Sequence, residues 1–215
     1  MKAEIRCVEK NAFRTVVEIC HEMMIPSGMG EELQRQREMC IDPYTRVANR
    51  SKELVPMEVK TVLTLEKSGK GLHVATTICN QAKDHRVRVV MPTGLNTSTH
   101  LADSAFEVVK RNNRHNDTWT NPCGCERQQC FAAMEDETNG LLVANRGLYE
   151  YEVLADEENA IAVTLLRSVA EMGDWGYFPT PKAQMQSTYT MEYALFPYEA
   201  RKSADAFALG YGYQH

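Results

Sequence analysis

No stretch of this 215-residue chain is apolar for long enough to cross a bilayer. The run Ile161 to Leu166 falls far short of the roughly 20 residues that a spanning helix needs. A basic excess is also missing: the formal charge is −5 and the isoelectric point lies near 5.7, so the electrostatic footprint of a nucleic-acid binder is absent. The seven cysteines are odd in number and no charged-then-apolar leader precedes them, which speaks against a disulfide framework. Reduced thiols in a soluble, cytoplasmic protein are the expectation, with neither membrane nor nucleic acid as partner. No repeat of about 20 to 50 residues appears, so a solenoid is not expected.

What the chain does have is alternation. Polar and apolar residues alternate from Ala3 to Val8 and from Phe13 to Cys20, around a polar turn at Glu9 to Asn11. Strands are predicted at Glu53–Leu65, Gly71–Cys79 and His85–Met91, the first with a phase slip near Lys60 of the kind a β-bulge absorbs. Phe106–Val109 resumes strand character after a Thr, Ser, Asn and Gly-rich loop from Pro92 to Ala102. Gln128–Met134 should pair with Leu141–Asn145 across an Asn139-Gly140 turn, with Gly140 at positive φ. Leu141–Val153 and Ala160–Leu166 complete a meander, and Ser187–Phe196 gives a last strand. Tyr198–Gln214 begins like a helix before two glycines interrupt it. Residues 26–50 read as an excursion with a helical turn near Glu31–Met39, either a lid or a solvated insertion. Long strands with short polar turns predict an all-β antiparallel sandwich in one domain, 1–215, with short helical pieces.

Several of these segments carry a resemblance. NRGLYEYEV, then TLLRSV and DWGYFPTPKAQ, together with RSKELVPMEVKTVLTL, NQAKDHRVRV and PTGLNTSTHLADSAFEVVKR, resemble in the same order the C-terminal region of bacterial family 38 α-mannosidases, the group that includes mannosylglycerate hydrolases. The resemblance runs from about Glu22 to Pro197. It implies a large galactose-mutarotase-like supersandwich and a parent enzyme that hydrolyses α-mannosides with retention. That enzyme's nucleophilic aspartate and divalent metal, zinc, would belong to a barrel not among these residues. The implied partners are an α-mannoside, the N-terminal barrel and further C-terminal β domains. Self-association into a homo-oligomer is expected on a different ground, since the loop DWGYF is too short to fold on itself and needs a partner. The implied behaviour of the chain alone is inactivity. A free-standing carbohydrate-binding or structural module, or an aldose-epimerase-like enzyme using a histidine and a carboxylate, stays open as an alternative.

No catalytic and no metal-ligating residue is expected within the chain. His115-Asn116-Asp117 resembles the start of the barrel's metal site, but RNNR precedes it where an apolar strand would stand. Cys123-Gly124-Cys125 and Cys130 lack the paired spacing of structural zinc and read as ordinary thiols. Glu150 and Glu152 share one strand face, too close and too parallel to straddle a glycosidic bond, and read as an exposed face. Lys83, Asp84, His85, Arg86 and Arg88 form either a sugar-binding edge or a hairpin corner held by local salt links. The candidates for sugar contact are Asn145 and Arg146, at a corner before Gly147, and the loop residues Asp174, Trp175 and Tyr177. A guanidinium can donate several hydrogen bonds to vicinal hydroxyls, and aromatic faces stack on sugar rings. The resemblance implies that this region lends an arginine to the sugar cleft. A salt link at Arg146, or packing of the aromatic loop on a neighbouring domain, would leave the same sequence.

Overall fold

A computed structural model describes residues 2–47, 49–116, 118–120, 123–155, 158–172 and 178–215. In chain order the elements are β1 (Lys2–Lys10), β2 (Arg14–Pro26), α1 (Glu31–Glu38), β3 (Leu54–Glu66), β4 (Leu72–Cys79), β5 (Arg86–Pro92), β6 (Thr99–Asp103) and β7 (Val108–Asn112). They continue with β8 (Cys125–Arg127), β9 (Phe131–Glu135), β10 (Asn139–Asn145), β11 (Glu150–Leu154), β12 (Ala160–Arg167), β13 (Thr188–Glu199) and α2 (Ser203–Gly212). A nine-stranded sheet runs β1-β2-β3-β4-β13-β10-β9-β6-β7, and a four-stranded sheet runs β5-β12-β11-β8. The strand pairs are antiparallel, so the all-β sandwich expected from the alternation is what forms.

The core lies between the two sheets. Ile78, Met134, Val143, Tyr151, Ile161 and Val163 are fully buried there. Burying each such side chain stabilises the fold by about 1.5–3 kcal/mol. A second cluster occupies the outer face of the large sheet, where α2 lays Phe207 flat on Phe131 at 5.2 Å between ring centroids and brings Tyr211 edge-on at 5.3 Å. Stacking against this sheet carries α2 through Gly210 and Gly212, where the local sequence predicts an interruption.

The register corrects four local expectations. Along β3 the pairing with β2 and with β4 is continuous, with no bulge near Lys60. The apparent slip arises because β3 has apolar neighbours on both faces: Leu63 enters the core, while Val62 lines a recess beside α2. Gly140 is not at positive φ. The turn lies earlier, where Asp136 Oδ1 accepts the amides of Thr138 at 2.8 Å and Asn139 at 2.9 Å, and Gly140 already pairs with Glu135. A β-carbon at Gly140 would stand 2.6 Å from Tyr198 Cε2, so glycine is required by the close approach of that ring. The Leu141–Val153 run breaks at the corner expected after Asn145 and Arg146, but its halves do not continue one meander: β10 belongs to the large sheet and β11 to the small one. The corner between them is Gly147, at φ +74°. Part of the predicted Pro92–Ala102 loop is strand, since β6 starts at Thr99 and pairs with both β7 and β9.

Residues 26–50 are tied down at their far end. Arg37 of α1 is 9 % exposed, with Nε 2.8 Å from Glu171 Oε1; Arg46 Nη1 reaches the same oxygen at 2.6 Å.

Candidate functional site

The corner after β10 is held by Asn145. Its side chain is fully buried: Nδ2 donates to the Cys130 carbonyl at 3.1 Å, and Oδ1 accepts the Leu148 amide at 2.7 Å. A buried amide with its polar atoms satisfied fixes the backbone on either side. Asn145 therefore orients the next residue rather than presenting its own amide to solvent.

That next residue is Arg146. Its Nη1 donates to Glu192 Oε2 at 2.9 Å, its Nε donates to the Tyr213 carbonyl at 2.9 Å, and its guanidinium lies 4.8 Å from the Tyr213 ring centroid. Beside it is a cavity of about 570 Å³ on the outer face of the large sheet, walled by His73, Phe196, Leu209 and Tyr213 and rimmed by Lys70 and Glu192. His73 leans on Tyr213 at 5.6 Å, and burial pushes the Tyr213 hydroxyl up to about 12. Arginine, lysine, histidine and one carboxylate around an aromatic wall can hold hydroxyls and stack a ring. They cannot divide acid from nucleophile, since that chemistry needs two carboxyl groups across the bond.

Asp174, Trp175 and Tyr177 lie outside the described residues. The flanks of that loop are held together: the Met172 amide donates to Phe178 O at 3.0 Å, Glu171 bridges Pro179, and the Thr180 amide donates to Ala170 O at 2.7 Å. Arg37 and Arg46 grip Glu171, so the 26–50 excursion is fastened to the segment that precedes residues 173–177.

Glu150 and Glu152 are not a free face. Arg167 Nη2 lies 2.6 Å from Glu150, Arg86 Nη2 lies 3.3 Å from Glu152, and Arg88 pairs with Glu152 as well. Burial pushes the Glu150 carboxyl up, but hydrogen bonds from Thr164 and Arg167 outweigh it and hold the group below the usual carboxylate range. The charges at Arg86 and Arg88 are thus engaged across the small sheet, not in a local hairpin corner. Arg86 Nη1 also donates to Cys125 Sγ at 2.7 Å, and burial raises that thiol's pKa. Cys130 is pushed up to about 11, first by burial and then by Asp103. Neither is an activated nucleophile.

Among the described residues no three of His, Cys, Asp and Glu come together as metal ligands. The His115 ring is stacked on Trp119 at 5.4 Å, and Asp117 is outside the described residues. The described residues do not fit a catalytic metal.

One constellation has no signature in the local sequence. His100 sits on β6, within the segment whose composition predicts a loop. Its Nε2 is 2.8 Å from the Tyr151 hydroxyl and its Nδ1 is 3.0 Å from Asn113 Oδ1. Arg111 Nη1 reaches the same hydroxyl at 2.8 Å and Glu126 at 2.9 Å. Burial lowers the His100 pKa and raises that of Tyr151. A histidine beside a carboxylate suits sugar epimerisation, but His100 is 2 % exposed and both ring nitrogens are taken, so no substrate hydroxyl reaches it. The cluster bolts the two sheets together.

Residues 4–175 match the family model described as the glycosyl hydrolases family 38 C-terminal domain. A protein of Halalkalibacterium halodurans named "Putative mannosylglycerate hydrolase" is 39% identical over 98% of this chain, which covers 23% of that protein. The crystal structure of an alpha-mannosidase from Enterococcus faecalis V583 superposes with a TM-score of 0.93 at 42% identity, over 99% of this chain and 24% of that one. A second Enterococcus faecalis structure, of a protein in glycosyl hydrolase family 38, gives 0.91 at 40% identity with the same coverage. The chain spans about a quarter of the length of the relatives it matches.

Proposed function

Because the chain belongs to the glycosyl hydrolase family 38 C-terminal domains, we propose that it is the sandwich domain of an α-mannosidase, walling a sugar cleft whose chemistry another part of the enzyme supplies. The observation that carries this reading is coverage: 99% of the chain superposes on a segment that is 24% of an α-mannosidase. The reaction of that whole enzyme would be hydrolysis of an α-mannoside. Its barrel would bring the nucleophile and a divalent metal to hold the sugar's hydroxyls; none of the described residues fits that metal. In this reading residues 1–215 form one domain of a cytoplasmic enzyme.

Within the domain, Arg146 is the residue we assign to sugar contact. Two of its nitrogens are committed to Glu192 and Tyr213, which pre-orients the guanidinium at the rim of an aromatic-walled cavity. Asn145 positions it. Asp174, Trp175 and Tyr177 would contribute from the segment beyond Glu171. NMR titration of the labelled chain with methyl α-mannoside tests the assignment. Shifts clustered on Arg146, Glu192, His73 and Tyr213, and lost in Arg146→Ala, support it; shifts elsewhere, or none at millimolar sugar, refute it.

A further inference from the structure

The two sheets are unequal, and the mismatch is concentrated at one edge. β5 is an outer strand of the small sheet: it pairs with β12, and among the described residues no strand lies on its other side. A recess of about 560 Å³ separates that edge from β2 and β3, with a floor of Met23, Ile25, Met57 and Val59 beside His21 on the large sheet, and with His85, the start of β5 (Arg86 to Arg88) and Arg50 around it. The apolar face continues outward past the edge. Met23 pairs with Met57, which is buried, and the period of two puts Ile19 on the same face; Ile5 pairs with Ile19 and is 68% exposed. His21 also lines the recess, and its Nδ1 is buried without a hydrogen-bond partner.

We propose that this recess accepts a β-strand from the remainder of a family 38 polypeptide, which extends the small sheet at β5 and covers Ile5 and Ile19. An exposed edge offers a row of unpaired amides and carbonyls to an extended segment, and alternate side chains of that segment would point down onto the apolar floor. One of its polar groups would also meet His21 Nδ1. The occupant is assigned to the same enzyme because the relatives carry about three quarters of their length outside this match. A second copy fits poorly. Antiparallel pairing of two β5 edges needs a two-fold axis perpendicular to the small sheet, which would carry both overhanging faces to the same side and into each other.

The proposal rests on the family membership but not on the sugar-cleft reading, and its test does not involve catalysis. Hydrogen exchange is measured over residues 86–91 in the free 215-residue chain and in a chimaera where the chain replaces the matching quarter of the E. faecalis V583 enzyme. The expected result is exchange slowed by about tenfold or more in the chimaera. Ile5→Glu should leave the free chain's melting temperature unchanged and lower the chimaera's by about 3 °C or more. Equal exchange of 86–91 in both settings overturns the proposal. A free chain that sediments as a dimer with 86–91 protected overturns it in favour of a second copy. If the chimaera does not fold, the E. faecalis enzyme and its own excised segment give the same comparison: slower exchange in the whole enzyme supports the proposal, and equal exchange overturns it.

Discussion

Arg146 and Tyr213 are joined twice: Nε donates to the Tyr213 carbonyl at 2.9 Å, and the guanidinium faces the Tyr213 ring at 4.8 Å. The contact links the corner between the two sheets to the residue that caps the end of α2, and the next residue, Gln214, also reaches back to the Asn145 carbonyl. A cation near a helix C-terminus is favourable in itself, and the planar guanidinium satisfies a carbonyl and a ring face together.

Arg146→Ala should therefore destabilise the chain by about 1 kcal/mol and speed amide exchange in Ser203–Gly212 more than elsewhere. Arg146→Lys should recover little of this, because an ammonium cannot span both partners. Denaturant unfolding with exchange readout checks it. Uniform exchange across the chain would mean that the contact does not hold α2.

Gly140→Ala should cost about 1–3 kcal/mol through collision with Tyr198, as overpacking does. The diagnostic is non-additivity: with Tyr198→Ala already present, Gly140→Ala should cost almost nothing. If the cost persists without the ring, backbone conformation and not the tyrosine governs the position.

Stability should fall on acidification through the histidine range. The His100 pKa is lowered by burial, so below about pH 6.5 the unfolded chain binds a proton that the native state refuses, and stability drops until the lower native pKa is passed. Above that window the contribution is complete. Glu126 and Arg111 face the ring with opposing effects, and His85, also lowered by burial, adds to the same slope. Comparing urea unfolding at pH 7.5 and 5.0, His100→Gln should show a shallower loss than the parent. An unchanged slope would assign the effect to other groups.

Thiol labelling should separate the cysteines. Cys7, Cys40 and Cys123 are exposed, whereas Cys130 is partly buried with its pKa pushed up to about 11. With iodoacetamide at pH 8 the exposed three should alkylate first and Cys130 last. Early modification of Cys130 would show that β9 opens readily.

How much of the fold and the site is legible in the sequence depends on range. Alternation in β4 reports which residues face inward, because Val74, Thr76 and Ile78 are buried while their neighbours stay half-buried; β12 is buried on both faces and is legible as a short apolar run instead. From such segments the strands and the sandwich class can be read directly. Pairing is a long-range property. Nothing near Leu141 says that β10 will lie beside β13, or that β11 will leave for the other sheet. Asn-Gly signals a tight turn locally, yet Tyr198, far along the chain, sets the requirement for Gly140. Glu150 and Glu152 read as exposed because their partners Arg86, Arg88 and Arg167 sit on other strands. His100 is hidden in a polar loop composition for the same reason. Arg146 stands out through its corner glycine, but its partners Glu192 and Tyr213 leave no local signal.

The most direct test of the account is an activity assay on the purified chain with an aryl α-mannoside, with and without added zinc. The chain holds a cleft with one carboxylate and, among the described residues, no cluster of metal ligands, so release of the aryl group should not exceed the buffer rate in either condition. Turnover that a chelator abolishes would contradict it, and would place catalysis within these residues.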